Sequence, residues 1–273
     1  MKKRSVFERI AAIPPISWSV LFILAPLGFV LYFALTDRNG AFTWDNLASL
    51  SSYSGTFVMS VGFSLIATTV CLLVGYPLAY AMSKTRERTR GILMVLLMLP
   101  MWISLLIRTY SLMALLDNGG IVSGFLVKLG FEKLTFIGTE GAVILGMIYD
   151  FLPYMVLPIY TSIIKLDRRY VEAAADLGCN SVKTMFRVIL PLTVPGIVSG
   201  VTMVFVPSIS TFYISQKLGG GSFDLIGDTI ERQFQNAVTY HTGAAISLVM
   251  MILILISLAV MNRFTDSQED IVI

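Results

Sequence analysis

A chain of 273 residues that is 56% hydrophobic and 14% charged, with a mean hydropathy of +0.79, carries more apolar surface than a soluble fold of that size can bury. A soluble globular domain is therefore excluded, and a net charge of +3 gives nothing that calls for nucleic acid. The apolar residues run continuously instead of alternating, which excludes a β-barrel and leaves an all-α integral membrane protein.

In chain order, the sequence opens on a basic stretch, Lys2, Lys3, Arg4 and Arg9, followed by an apolar run over 16–35. The run is long for a signal peptide and no A-x-A site follows, so it reads as an uncleaved first span. A Ser-, Asn- and Gly-containing loop over 37–55 leads to a second span over 56–82, and a third is expected over 91–106. Arg108 stands at the outer end of the third, either reaching the headgroups or pairing with an acid such as Asp117.

The fourth span, 141–164, holds Asp150 about ten residues in. An ionised carboxylate at that depth is costly unless it faces a polar cavity or a partner, so it is a candidate for function. Pro77, Pro153 and Pro158 lie inside spans, where each removes a backbone hydrogen bond and permits a kink.

The polar segment 165–191 interrupts the apolar pattern. Leu166, Tyr170, Ala173 or Ala174, and Leu177 recur at helical spacing, with Arg168, Glu172 and Asp176 opposite them. Asp167 is placed to cap this helix, Gly178 to end it in a left-handed turn, and Ser181 to cap a second helix running to Pro191.

A fifth span is expected over 192–215, with Gly196 and Gly200 in a G-x-x-x-G pair that suits close helix approach within the subunit or against a partner. The long loop 216–242 carries a GGGS turn and a helical pattern over 225–234. A sixth span follows over 243–262.

Counting loop cations sets the orientation. Lys84, Arg86, Arg88, Arg90, Lys165, Arg168, Arg169, Lys183, Arg187 and Arg263 fall on the same side as the basic start, fourteen in all, against Arg38, Arg108, Lys128, Lys133, Lys217 and Arg232 on the other. The positive-inside rule then puts both termini and the polar segment in the cytoplasm.

Cys71 and Cys179 sit at different membrane levels, so no disulfide or metal site is implied. His241 is the sole histidine, which leaves no histidine triad, and the motifs of an intramembrane hydrolase are not met.

Glu172, Ala173, Ala174, then Gly178, then Ile189, Leu190 and Pro191 resemble the EAA motif of the permease subunits of binding-protein-dependent ABC importers. The resemblance covers about 56–263. GYPLAYAMSK over 75–84, LPMWISLLIRTYSLMALLDNGG over 99–120 and YDFLPYMVLPIY over 149–160 are similar to the spermidine/putrescine branch of that family.

The resemblance implies a six-helix type I ABC importer permease. An N-terminal segment, first span and external loop would occupy 1–55, the permease core 56–263, and a cytoplasmic tail 264–273. Glu172, Ala173, Ala174, Asp176 and Gly178 would form the coupling helix on an ATPase dimer. A second permease and an external substrate-binding protein would complete the assembly in a bacterial inner membrane.

No catalysis and no cofactor are then expected in this chain, with ATP and magnesium held by the ATPase partners. Asp150, Tyr149, Trp102, Tyr110, Phe212 and Tyr213 are candidates for the path of a small cation, whose amines favour carboxylates and aromatic faces. Asp228 and Glu231 would stand at its outer mouth. The same importer class for an opine, an inorganic anion or ferric iron is the alternative, Arg108 being the one candidate cation for an anion path.

Overall fold

The computed structural model describes residues 14–129 and 135–269, so the basic start that entered the orientation argument, Lys133 and the last four residues of the expected tail lie outside the described residues. Among the described residues the chain is helical, with one isolated bridge between Thr36 and Phe42. We number the helices α1 (Pro14–Leu35), α2 (Ser54–Lys84), α3 (Glu87–Trp102), α4 (Leu105–Leu116), α5 (Ile121–Lys128), α6 (Glu140–Ile164), α7 (Arg168–Asp176), α8 (Ser181–Leu192), α9 (Val194–Ser210), α10 (Tyr213–Leu218), α11 (Ile226–Gln235) and α12 (Tyr240–Glu269).

Four of the six expected spans are single helices: α1, α2, α6 and α12. The third and fifth are broken. α3 and the helical stretch Leu105–Phe125 meet at 98°, and α8 and α9 meet at 66°. Apolar composition runs straight through the first break, so hydropathy alone reads it as continuous, whereas the second falls close to the helix end expected at Pro191.

The backbone gives the cause. Ile103 and Ser104 are extended just after Pro100, and Thr193 leaves the helical region between Pro191 and Pro195, where two missing N–H groups weaken the ladder. Prolines also explain two wide turns. The π-turns Val20–Leu24 and Met185–Ile189 each end two residues before a proline, whose ring crowds the preceding carbonyls.

The chain forms two compact units. One comprises Met1–Ser54 with Thr229–Leu253, and the other comprises Gly55–Asp228 with Ile254–Ile273. In the first, Ala34, Ala244, Ala245 and Leu248 are buried against Val30, Phe33, Leu50, Phe234 and Met251. His241 Nδ1 lies 3.0 Å from the Phe33 carbonyl oxygen, a local packing role for the sole histidine. The Asp37 carboxylate accepts from the Asn39 and Ala41 N–H groups in the turn that follows α1. The Ala41 bond foremost holds its pKa below the usual carboxylate value.

In the second unit the core is built where α6 meets α2 and α9. Val143, Met147, Met155, Val156 and Ile159 of α6 are fully buried with Ala67, Cys71 and Ala79 of α2 and Val204 of α9. The glycine pair resolves inward. A Cβ on Gly196 would stand 2.5 Å from Ser162 Cβ and 2.9 Å from the Pro158 carbonyl, and one on Gly200 would stand 3.0 Å from the Met155 carbonyl. Both glycines therefore let α9 approach α6 within the subunit.

Thr193, at the α8–α9 break, bonds its hydroxyl to the Ile189 carbonyl at 2.9 Å and lies 3.0 Å from the Tyr76 hydroxyl, fully buried. This tie fixes the bend to α2. Thr193→Val strands the Tyr76 hydroxyl, and the expected cost is about 1–3 kcal/mol. A lowered thermal midpoint of the detergent-purified protein, with Thr193→Ser unchanged, is the measurement.

Candidate functional site

The polar segment folds into α7 for the reasons its residues suggest. Asp167 Oδ1 accepts from the Arg169 N–H at 3.0 Å, which caps the start, and Gly178 at φ +76° ends it in the left-handed region. The second cap differs from expectation. Asn180 Oδ1, and not Ser181, accepts from the Lys183 N–H at 2.8 Å to start α8.

The faces of α7 also differ. Of the expected stripe Leu166, Tyr170, Ala173 or Ala174, and Leu177, Ala174 is buried and Leu166 half-buried, as is Val171, while Tyr170, Ala173 and Leu177 face outward. Leu177 is 84% exposed and Val182 63%. Glu172, Asp176 and Gly178 are exposed beside them. Bare leucine and valine flanked by carboxylates make a surface that nothing among the described residues covers.

Beneath α7, an open cavity of about 710 Å³ is lined by Lys84, Arg86, Arg90, Arg168 and Glu172, where the ends of α2 and α6 and the start of α3 converge. Cations from two separate sequence regions thus gather around one cavity.

The second cluster lies where α4 meets α6. Arg108 is buried and its Nη1 lies 3.3 Å from Asp150 Oδ1 and 3.1 Å from the Asp150 carbonyl oxygen, while Thr109 Oγ1 is 3.3 Å from Asp150 Oδ2. Neither membrane headgroups nor Asp117 take Arg108, whose partner is the carboxylate one helix away. The α3–α4 break swings Arg108 inward, which is why its depth could not be read from hydropathy. Among the described residues Arg108 Nε has no hydrogen-bond partner. Asp150 itself has no exposed surface.

The third cluster lies on the outward side of α4. Tyr110 and Tyr213 stand edge to face with ring centroids 6.0 Å apart, and Lys217 Nζ sits 5.4 Å from the first centroid and 5.7 Å from the second. Lys217 entered the sequence reading only as a loop cation. Its four-residue spacing from Tyr213 on a helix was the available signal.

The remaining candidates scatter. Trp102 is exposed at the end of α3, and Tyr149 and Phe212 are partly exposed. Asp228 is buried and its Oδ2 accepts from the Leu225 N–H at 2.8 Å at the start of α11, a capping role, while Glu231 Oε1 accepts from Gln235. Among the described residues no group of three or more His, Cys, Asp or Glu is placed to hold a metal ion.

Residues 71–269 match the family profile described as binding-protein-dependent transport system inner membrane component. The chain is 38% identical over 262 residues to the spermidine/putrescine transport system permease protein PotB of Salmonella typhimurium, covering 92% of this chain and 91% of that protein. It is 37% identical over 267 residues to the PotB of Haemophilus influenzae, covering 94% and 93%. Among solved structures, a bacterial ABC transporter involved in import of the acidic polysaccharide alginate superposes with a TM-score of 0.74 at 19% identity, covering 94% of this chain and 95% of that one.

Proposed function

The chain belongs to the binding-protein-dependent transport system inner membrane components, multi-pass proteins of ABC importers, and on that footing we propose that it is one permease subunit of an ATP-driven importer of spermidine and putrescine. The observation that carries the substrate is the likeness to two spermidine/putrescine permeases along nearly the whole of both chains.

The importer has a second permease, an ATPase dimer and an external binding protein beside this subunit. Both termini and α7 face the cytoplasm of a bacterial cell, and lipid surrounds the spans. ATP and magnesium reside on the ATPase partners, and this chain binds no cofactor and catalyses no reaction. Closure of the ATPase pair pulls on α7 and opens the spans outward, so that the binding protein discharges its cation. The pairing of Arg108 with Asp150 takes the cation that the sequence offered to an anion path.

The coupling surface comprises Glu172, Ala173, Ala174, Asp176 and Gly178, together with the exposed Leu177, which the motif does not include. Glu172 and Leu177 have open surroundings, so their replacement leaves the permease folded. Leu177→Asp is expected to cost about 2 kcal/mol in ATPase docking, roughly thirty-fold in affinity. Retention of the ATPase on the purified complex reads this, and undiminished retention removes the role. In Glu172→Ala, ATP hydrolysis is expected to continue with little uptake.

The substrate is tested in a bacterial strain lacking its own polyamine uptake that expresses this permease with its companion subunits. Energy-dependent accumulation of labelled spermidine or putrescine supports the assignment. Absence of both with an intact, ATP-hydrolysing complex overturns it.

A further inference from the structure

We propose that Tyr110 and Tyr213 form a seat for one ammonium group of the transported polyamine, and that Lys217 is a tethered occupant which holds this seat between transport events and yields it to the substrate. The proposal rests on the polyamine reading and adds to it a place and an exchange.

Two electron-rich ring faces converge on one primary ammonium in this structure, at 5.4 and 5.7 Å from the ring centroids, within the range at which a cation is attracted by an aromatic quadrupole. The rings belong to different helices, α4 and α10, so the seat exists only while those helices stay side by side. A polyamine ends in a primary ammonium on a flexible methylene chain. Lys217 carries the same head group on a four-carbon stem. Whatever geometry satisfies Lys217 satisfies the end of such a substrate, and the two cannot be seated together.

Position agrees with a role on the path. α10 packs over Gly146 near the start of α6, where Leu218 and Ile214 fill the space a side chain would need. α7 leaves from the far end of that helix, after Ile164, about 27 Å away at the helical rise. In the proposed orientation the seat is therefore at the external end, where the binding protein delivers its ligand.

Tyr110 is half exposed, and Lys217 is neither fully buried nor in an ion pair among the described residues. Leaving the seat costs Lys217 its two cation–π contacts and a hydrogen bond with the Tyr110 hydroxyl, but no salt bridge. By contrast, Arg108, about half a turn away on the inward side of α4, is held by the Asp150 carboxylate and is not exchangeable in the same way.

The test uses the complete importer in membranes, with uptake of labelled spermidine as readout after wild-type uptake has been established. Absence of wild-type uptake refutes the substrate assignment, whereas the outcomes below bear on the seat alone.

Tyr110→Leu and Tyr213→Leu are each expected to lower the uptake rate about two- to thirty-fold, the range a cation–π contact spans between an exposed and a desolvated setting. Tyr110→Phe and Tyr213→Phe are expected to retain it. Successive fluorination of the phenylalanine rings in those two variants, which drains the ring face at nearly constant volume, is expected to reduce uptake stepwise. Lys217→Met, which keeps the stem and removes the competing charge, is expected to transport at least as fast as the parent at low spermidine. Uptake indifferent to fluorination, or abolished by Lys217→Met with the protein still assembled, overturns the proposal.

Discussion

Arg108→Leu and Asp150→Leu are each expected to destabilise the permease by about 3–5 kcal/mol, because either leaves an uncompensated charge in a buried, low-dielectric place. The carboxylate is wholly buried and its nearest cation is Nη1 of Arg108 at 3.3 Å. Remove the arginine and, among the described residues, the Thr109 hydroxyl is the hydrogen-bond partner left to it. The double change to leucine is expected to recover most of the loss, since an apolar pair of similar volume avoids desolvating either ion.

Thermal unfolding of the four proteins in detergent measures the stability, and uptake by the assembled importer separates two roles for Asp150. If the pair serves only to hold α4 against α6, the double variant transports. If the carboxylate meets the substrate, the double variant is stable and inactive.

Gly196→Val is expected to cost about 1–3 kcal/mol and to lower the amount of assembled permease, because α9 has no room to retreat from α6. A Cβ at that position already meets Ser162 Cβ at 2.5 Å and a backbone carbonyl at 2.9 Å, neither of which is the yielding tip of a long side chain. Gly200→Val meets the Met155 carbonyl and sulfur and is expected to behave alike. Gly62→Ala is the control. Nothing lies within 4 Å of its added carbon, and it sits inside α2, so the exchange is expected to be neutral or to stabilise by up to about 1 kcal/mol. Equal thermal midpoints for the Gly196 and Gly62 variants contradict the close-approach account.

Where function lives in short-range chemistry, the sequence was informative. Asp167, Gly178 and the intervening helical pattern placed α7 to within a residue or two, because capping and a left-handed turn are decided by neighbours in the chain. Which side its apolar stripe takes was open, and Tyr170 and Leu177 on that stripe prove to be turned outward. Periodicity tells which residues share a face and is silent on what covers it.

The long spans were legible from length and apolarity. The break after Trp102 was not, as Ile103 interrupts the backbone without interrupting the hydrophobic run, whereas the one at Thr193 lies within two residues of the helix end expected at Pro191. Both polar clusters were out of reach for a further reason. Arg108 and Asp150 are 42 positions apart, and Tyr110 lies farther still from Lys217, so each partnership is a product of tertiary packing.

The buried pair also constrains how the polypeptide is made. A ribosome releases Arg108 first and delivers Asp150 only after the intervening loop, and α3 by itself, at sixteen residues, extends about 24 Å against a hydrocarbon layer of about 30 Å. That crossing is too short to settle unaided, and Arg108 follows it in α4. It waits for α6 to arrive with the counter-charge, so maturation of this region is a folding event among neighbouring helices and not a property of the nascent segment.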